Sequence, residues 1–200
     1  MNIDKWFPTV VGCMDDNLLE LLPYYQQCCE EITSDIPIGR PFTGSQLTST
    51  FNQSMPQYDR PIENDIRFKK LFDLILEKGT MFAEFLGYKY DLRISHAWVN
   101  KIQTHDYHEL HNHALGGNAL LSGVFYVAAP ESASIRFKDA LDSYSPVPPT
   151  AYTPYNNKHA RYQCFPGRLL LFRSDVLHGY DSHNSENIKY SIAFDLAVQS

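Results

Sequence analysis

Hydrophobic residues follow a helical period in the first part of the chain. In two segments, about 17–32 and 62–86, they recur three or four residues apart, which is typical of amphipathic helices. Pro23 lies early in the first segment and predicts a kink or a later start. The second pattern is interrupted near Gly79 and ends at Gly87, a residue suited to a helix C-cap. We therefore expect two helices before residue 88.

After Gly87 the pattern changes to short runs that alternate in part between apolar and polar residues, which predicts β-strands. Turn signals rich in Pro, Gly, Asn and Asp separate these runs. A further short strand is expected at 6–11, where Pro8 favours a sheet edge. This spacing predicts a mainly β jelly roll with the two N-terminal helices packed on its outside. The predicted later strands are 90–103, 119–128, 134–138, 160–164, 168–173, 177–180 and 188–197.

The length of the chain favours one domain, because 200 residues can bury a single substantial core. We expect 1–200 to form that domain, with 1–88 packing on a β-rich core made by 89–200. Two connections, 33–61 and 139–159, are rich in polar residues or in Tyr and Pro. Each is predicted to be either a plain surface loop or a lid over the barrel mouth.

Composition and charge narrow the class of partner. Hydrophobic residues make up 44% of the chain and charged residues 20%, which is typical of a globular protein. The net charge of −6 argues against a nucleic-acid partner and favours small molecules or other proteins. The four cysteines form no CxxC pair, so we expect reduced thiols. Neither a signal peptide nor a membrane span is predicted, and the expected location is the cytoplasm.

Two closely spaced histidines, His111 and His113, are the first candidates for chemistry. On an extended segment, side chains two residues apart point to the same face, so both imidazoles could bind one metal ion. His108 and Glu109 lie just before them, and Glu109 could compete as a ligand. The alternative is a polar loop that is rich in histidine and binds nothing.

His178 is the expected third ligand. It follows the apolar run 168–173 and a bend at Ser174-Asp175, so it emerges at the start of a strand. An antiparallel barrel could hold that strand against the segment of His111. Imidazole suits divalent iron, copper, nickel and zinc. The alternative is a surface histidine.

Lys189 and Ser191 share one face of the last predicted strand, which is otherwise apolar. A cation that faces a barrel interior is costly unless an anion accompanies it. A dicarboxylate ligand would supply that anion, and the Ser191 hydroxyl could donate to the same carboxylate. If the strand has the opposite orientation, Lys189 is a solvated residue instead.

The order of these motifs resembles a known enzyme family. His-x-His is followed by Leu-Ser-Gly-Val-Phe-Tyr-Val, then by Pro-Gly-x-Leu-x-Leu-Phe-x-Ser-x-x-x-His, then by Lys-x-Ser-Ile-Ala-Phe-Asp. This order is similar to that of the 2-oxoglutarate- and Fe(II)-dependent oxygenases related to prolyl hydroxylases, many of which come from marine bacteria and phages. The similarity covers about residues 90–197.

The resemblance implies a cupin-like double-stranded β-helix with an iron site. Lys189 and Ser191 fall where the family binds the C5 carboxylate of 2-oxoglutarate, and Tyr126 is implied to reach the same co-substrate. The implied reaction uses O2 to hydroxylate a small-molecule or peptidyl substrate, while 2-oxoglutarate is converted to succinate and CO2. The implied Fe(II) ligands, which are also the catalytic residues, are His111, His113 and His178.

Two residues depart from the usual family pattern. His113 stands where the common triad has a carboxylate, so three neutral ligands would leave Fe(II) with its full charge until 2-oxoglutarate binds. Lys189 replaces an arginine, which exchanges a bidentate fork for a point charge. Two rival functions stay open: a three-histidine cupin-like dioxygenase that does not use 2-oxoglutarate, and a non-catalytic jelly-roll binding module. Because such barrels often pair through outer strands or helices, a homodimer stays open as well.

Overall fold

The computed structural model describes residues 9–41, 44–114, 119–138, 147, 149–153 and 156–199. Within these residues the chain forms two α-helices and eleven β-strands. The helices are α1 (Leu22–Thr33) and α2 (Lys69–Phe85). The strands are β1 (Val11–Met14), β2 (Ser45–Gln46), β3 (Thr48–Ser49), β4 (Leu92–Ile102), β5 (Tyr107–His111), β6 (Ala119–Ala128), β7 (Ser134–Lys138), β8 (His159–Gln163), β9 (Leu169–Arg173), β10 (Leu177–Tyr180) and β11 (Lys189–Val198).

The strands form two antiparallel sheets. The larger sheet has the order β1-β9-β6-β11-β4-β3, and the smaller sheet has the order β2-β5-β10-β7-β8. From β4 to β11 successive strands alternate between the sheets, except that β7 and β8 pair with each other. Side chains from both sheets share one apolar cluster, which includes Val124, Ile135, Phe137 and Phe172. This is the jelly-roll arrangement of a double-stranded β-helix, so the predicted fold class is confirmed.

The larger sheet is buried on both faces, which explains why its strands read as nearly continuous apolar runs. In β9, Leu169 and Leu171 belong to the core shared with the helices. Leu170 and Phe172 belong to the core between the sheets. The helices therefore cover one face of the larger sheet, and the other face lines the barrel interior.

The first helix begins later than the predicted position 17. Leu18 adopts a left-handed backbone conformation (φ 52°), which a continuous α-helix excludes, and Leu19–Leu21 form a 3-10 turn. Pro23 lies in the first turn of α1, where its missing N–H removes no helical hydrogen bond. The predicted effect of Pro23, a delayed start, is confirmed.

The second helix also begins late and runs without interruption. Asp65 accepts a hydrogen bond from the Arg67 N–H (3.0 Å), and a 3-10 turn precedes α2. The apolar pattern is interrupted near Gly79, but α2 continues through it. A Cβ at this position would overlap the Leu196 side chain, so glycine allows close packing on β11. Gly87 ends the helix with φ 89°, and its N–H donates to Glu84 O (2.9 Å).

Several connections differ from the sequence-based prediction. The segment 33–61 contributes β2 and β3, which pair with β5 and β4 and so attach it to both sheets. Strand β5 was not predicted. The predicted strand at 6–11 shares only Val11 with the observed β1, residues 9 and 10 are not in a strand, and residues 1–8 lie outside the described residues. Most of 139–159 also lies outside them. No described helix has both the length and the apolar character needed to cross a membrane.

Candidate metal centre

Histidines on two neighbouring strands of the smaller sheet face each other. His111 of β5 pairs with His178 of β10, and their ring centroids lie 4.3 Å apart. His108 lies opposite Tyr180, so between these two pairs β5 has two residues where β10 has one. Such a β-bulge re-aims side chains. His108 consequently stacks on His111, with ring centroids 3.8 Å apart.

His113 completes the group from the loop after β5. Its backbone N–H donates to Ser174 O (2.8 Å), which ties this loop to the bend between β9 and β10. Its ring centroid lies 5.3 Å from that of His111 and 5.1 Å from that of His178. One potential ligand atom from each of these three histidines lies within 4.8 Å of the others. The structure thus brings together the three histidines that the sequence singled out.

Each of the three rings is oriented by a hydrogen bond at its Nδ1 atom. The Nδ1 of His111 lies 2.9 Å from Glu109 O, and the Nδ1 of His178 lies 2.9 Å from Val176 O. The Nδ1 of His113 lies 2.7 Å from Asp195 Oδ1. A carbonyl or carboxylate oxygen accepts, so each Nδ1 carries the proton and each Nε2 keeps its lone pair. Outer hydrogen bonds of this kind are typical of metal-binding histidines.

Burial keeps two of these imidazoles neutral. Desolvation lowers the pKa of His111 to about 4. It also lowers the pKa of His178 well below its ordinary value, and the neighbouring His111 and His113 add to this effect. A neutral imidazole can bind a metal ion without first losing a proton. Glu109, the competing candidate, is not a member of the three-histidine cluster.

Lys189 lies inside the barrel, which is the first of the two orientations that the sequence left open. Its side chain is 3% exposed, and its Nζ lies 3.3 Å from the centroid of the Tyr180 ring and 5.3 Å from that of Tyr126. Burial lowers the pKa of Lys189 to about 8. Within the described part of the chain no carboxylate forms an ion pair with it. The aromatic faces stabilise the cation only in part.

A row of polar residues crosses the larger sheet beside Lys189. Ser191 lies opposite Tyr126 of β6 on one side and Asn100 of β4 on the other. The Tyr126 hydroxyl and Asn100 Oδ1 are buried without a hydrogen-bond partner among the residues that the structure describes. The polar group near the Tyr126 hydroxyl is the Cys164 thiol, which is a weak acceptor. Buried polar atoms without partners indicate room for a polar ligand or water.

Apolar and aromatic residues separate this polar row from the histidines. Ala193 follows Ser191 on the inward face of β11, and it lies opposite Val124 and Trp98. The Trp98 ring lies 5.7 Å from that of His113, and Phe51 contacts Trp98 at 5.4 Å between centroids. One pocket contains the histidine cluster, this apolar band and Lys189. The arrangement can hold a metal ion at one end and an anion at the other.

The sequence analysis missed several residues at or beside this pocket, above all Asp195, which contacts the His113 ring. Asp195 has the same parity on β11 as Lys189 and Ser191, so the period of two would have placed it on the inward face. Asn100 and Tyr180 line the pocket. His108 could not be found by parity, because the β-bulge that turns it inward has no clear sequence signal.

Comparisons with known proteins agree with this geometry. The model of a 2OG-Fe(II) oxygenase family matches residues 96–195, half of the 200-residue chain. A comparison with curated protein sequences gave no match.

Solved structures share the fold at low sequence identity. A prolyl-4-hydroxylase from Pseudomonas putida is 12% identical over 96% of this chain and 94% of that one, with a TM-score of 0.64. HygX from Streptomyces hygroscopicus, solved with iron bound, is 12% identical over 96% and 83%, with a TM-score of 0.60. The viral collagen prolyl hydroxylase of Paramecium Bursaria Chlorella virus-1, solved with 2-oxoglutarate, is 12% identical over 94% and 96%, with a TM-score of 0.57.

The family match runs from β4 to β11 and includes the three clustered histidines, Tyr126, Lys189 and Ser191. The imidazole cluster and the buried lysine in the same pocket fit the cofactors of that family, Fe(II) and the dianion 2-oxoglutarate. The chain belongs to the 2OG-Fe(II) oxygenase family, and its cofactors are Fe(II) and 2-oxoglutarate, with O2 as oxidant.

Proposed function

We propose that this protein is an oxygenase that hydroxylates a C–H bond of a small-molecule or peptidyl substrate. In this reaction 2-oxoglutarate and O2 are consumed and succinate and CO2 are formed. The observation that carries the proposal is the pairing, in one pocket, of three converging imidazoles with a buried lysine that forms no ion pair with a described carboxylate. Similar solved structures include a collagen prolyl hydroxylase, and HygX with the small molecule hygromycin B bound, so both substrate classes are represented.

Iron binding is assigned to His111, His113 and His178. Neutral imidazole suits Fe(II), and three ligands from one side leave coordination positions open on the other. Each ring is held by its Nδ1 hydrogen bond, so the Nε2 atoms need little reorganisation to bind. When bound, iron and 2-oxoglutarate supply the oxidative chemistry, and the protein supplies orientation and shelter.

Co-substrate binding is assigned to Lys189, Ser191 and Tyr126. A carboxylate beside Lys189 would give the buried cation the anion that the described residues do not provide. The Ser191 and Tyr126 hydroxyls lie on neighbouring strands and can donate to the same carboxylate. The Tyr126 hydroxyl would thereby gain the hydrogen-bond partner that it lacks.

The apolar band between the two ends of the pocket keeps water away from the reacting atoms. Trp98 is 8% exposed, Phe172 is 1% exposed, and both line the pocket. Exclusion of water strengthens the electrostatic contacts inside and limits side reactions.

The rival functions differ in what they require of Lys189. A three-histidine dioxygenase that does not use 2-oxoglutarate would give no role to a buried cation, and a binding module would need neither metal nor lysine. Keeping a charged lysine almost fully buried is costly. The position of this lysine beside the Ser191 and Tyr126 hydroxyls favours an anionic co-substrate.

An anaerobic titration of the metal-free protein with Fe(II), followed by 2-oxoglutarate, tests the proposal. We expect the visible charge-transfer band of chelated 2-oxoglutarate in the parent, none in His178→Ala, and a band in Lys189→Ala only at much higher co-substrate concentration. His96→Ala and Lys101→Ala are matched controls, since neither residue lines the pocket. Iron binding without a band would favour the three-histidine dioxygenase, and no iron binding would favour the binding module.

A further inference from the structure

Asp195 is a buried carboxylate next to the candidate metal centre. It lies near the end of β11, on the inward face that also carries Lys189 and Ser191, and is 9% exposed. In the pairing with β4 the register shifts directly after it: Asp195 lies opposite His96 and Leu196 lies opposite Ile94, so β4 contains an extra residue here. Such a bulge changes the direction of β4 beside the site.

The carboxylate is held by two contacts to the same oxygen. The Ser122 hydroxyl donates to Asp195 Oδ1 over 2.6 Å, and the Nδ1 of His113 lies 2.7 Å from that oxygen. The hydroxyl oxygens of Ser122 and Ser174 lie 3.0 Å apart, and the backbone carbonyl of Ser174 accepts the His113 backbone N–H. The loop that contains His113, its imidazole ring and the Asp195 carboxylate are therefore joined in one hydrogen-bond network.

The partner of His113 differs in charge from those of the other two histidines. His111 and His178 each donate to a backbone carbonyl, which is neutral. His113 donates to a carboxylate. Its position is also the one at which the common iron triad has a carboxylate ligand. The Asp195 carboxylate thus lies on the far side of the His113 ring from the metal position, where the common triad has a carboxylate bound to the metal itself.

We propose that Asp195 is a positioning residue that supplies, through His113, the negative charge that a carboxylate ligand supplies elsewhere. A carboxylate that accepts the Nδ1–H makes the imidazole a stronger donor at Nε2. The charges then balance: Fe(II) and the 2-oxoglutarate dianion cancel, and Lys189 and Asp195 cancel. Without Asp195 the loaded pocket would keep one net positive charge. This inference rests on the proposed function, because it requires that the three histidines bind the metal.

The test measures Fe(II) dissociation constants by anaerobic competition with a chromophoric chelator. Asp195→Asn keeps the shape and the acceptor oxygen but removes the charge, and we expect it to weaken Fe(II) binding about 10–100-fold. Ser122→Ala keeps the charge and removes one hydrogen bond to it, so we expect a loss of less than about threefold. The melting temperature of each metal-free variant is measured first, and the metal-free Asp195→Asn protein should melt close to the parent.

A second background separates charge from a purely structural role. In His113→Asp, a carboxylate lies at the metal position. Adding Asp195→Asn to this variant should therefore weaken Fe(II) binding by less than about threefold. A structural role that does not act through His113 would give the same loss in both backgrounds, whereas orientation of the ring is preserved in Asp195→Asn, which keeps the acceptor oxygen. If Asp195→Asn did not fold, Asp195→Ala measured in both backgrounds would give the same comparison.

The outcomes distinguish the two proposals. If the parent does not bind Fe(II), the proposed function and the role of Asp195 both fail. If the parent binds Fe(II) and Asp195→Asn binds it equally well, or if the loss is the same in both backgrounds, only the role of Asp195 fails.

Discussion

The two faces of the larger sheet are made by alternate residues of the same strands, yet they differ in chemistry. On β11, Ile192 and Phe194 point to the helices, and both are fully buried and apolar. Lys189, Ser191 and Asp195 point to the smaller sheet, and each is at most 9% exposed. Both sets of residues on β11 are buried, but only the inward-facing set contains charged side chains.

The difference shows which face is shaped by packing alone. Burying a methyl or phenyl group stabilises the fold directly, so the outer face needs only suitable volume. Burying Lys189 lowers its pKa to about 8, a shift that corresponds to roughly 3 kcal/mol of destabilisation. The inner face carries a cost that stability does not explain and that the proposed binding of 2-oxoglutarate would explain. Substitutions on the outer face should therefore reduce stability and leave ligand binding unchanged, and substitutions on the inner face should reduce ligand binding.

Removal of a metal ligand should have the largest effect. We expect His178→Ala to weaken Fe(II) binding by more than about 100-fold, since two imidazoles cannot replace three. Competition with a chelator under anaerobic conditions measures this change. His96→Ala, which removes an exposed histidine, should bind like the parent. Equal affinity of His178→Ala and parent would show that the metal lies elsewhere.

Phe194→Ala should affect stability and leave the site intact. Its ring is fully buried between the sheet and the helices, so we expect the free energy of unfolding to fall by about 3–5 kcal/mol. Chemical denaturation measures this loss. The affinity of the folded protein for Fe(II) and 2-oxoglutarate should stay within about twofold of the parent. A large loss of affinity would mean that the two faces are not independent.

Raising the pH should weaken 2-oxoglutarate binding. Because the pKa of Lys189 is about 8, the cation is lost above that pH, and affinity should fall about tenfold per pH unit. The unfolded chain holds this proton up to its ordinary pKa, near 10.5, so the free energy of unfolding should rise between these values. Lys189→Arg stays charged and should remove both trends. An unchanged slope in that variant would assign them to another group.

Ser191→Ala should have the smallest effect of this series. Loss of one hydroxyl donor to a carboxylate should weaken 2-oxoglutarate binding about tenfold. Fe(II) affinity in the same variant is the internal control, and it should not change. A titration of the charge-transfer band measures both constants. If 2-oxoglutarate affinity is also unchanged, Ser191 does not contact the co-substrate.

Much of the fold could be predicted because strong periodicity and turn residues bound the strands. Segments 134–138 and 177–180 were predicted with the bounds that the structure shows. Strands β2 and β3 were not found, since two residues each are too few to show a period. The polar strand β5 has no apolar alternation to reveal it. The start of α1 depends on the left-handed backbone of Leu18, which the sequence does not indicate.

Parity explains what could be predicted of the site. It placed Lys189 and Ser191 on one face of the strand, and the same rule extends to Asp195, which the sequence analysis did not consider. Which face points into the barrel depends on the fold, and the sequence left that open. His108 faces the pocket only because a β-bulge shifts the register of β5. Cross-strand neighbours such as Asn100 depend on register, which one sequence does not define.

The most direct test of the central claim compares melting temperatures of the iron-loaded parent and Lys189→Met, each with and without 2-oxoglutarate and without oxygen. Without 2-oxoglutarate, the variant should melt higher than the parent, because it avoids the burial of a cation. At about 100 times the dissociation constant, 2-oxoglutarate should stabilise the parent by about 2.7 kcal/mol and the variant hardly at all. Lys101→Met controls for loss of a lysine from the other face of the sheet. A variant that melts lower than the parent, or that responds equally to 2-oxoglutarate, would contradict the claim that the inner face exchanges stability for co-substrate binding.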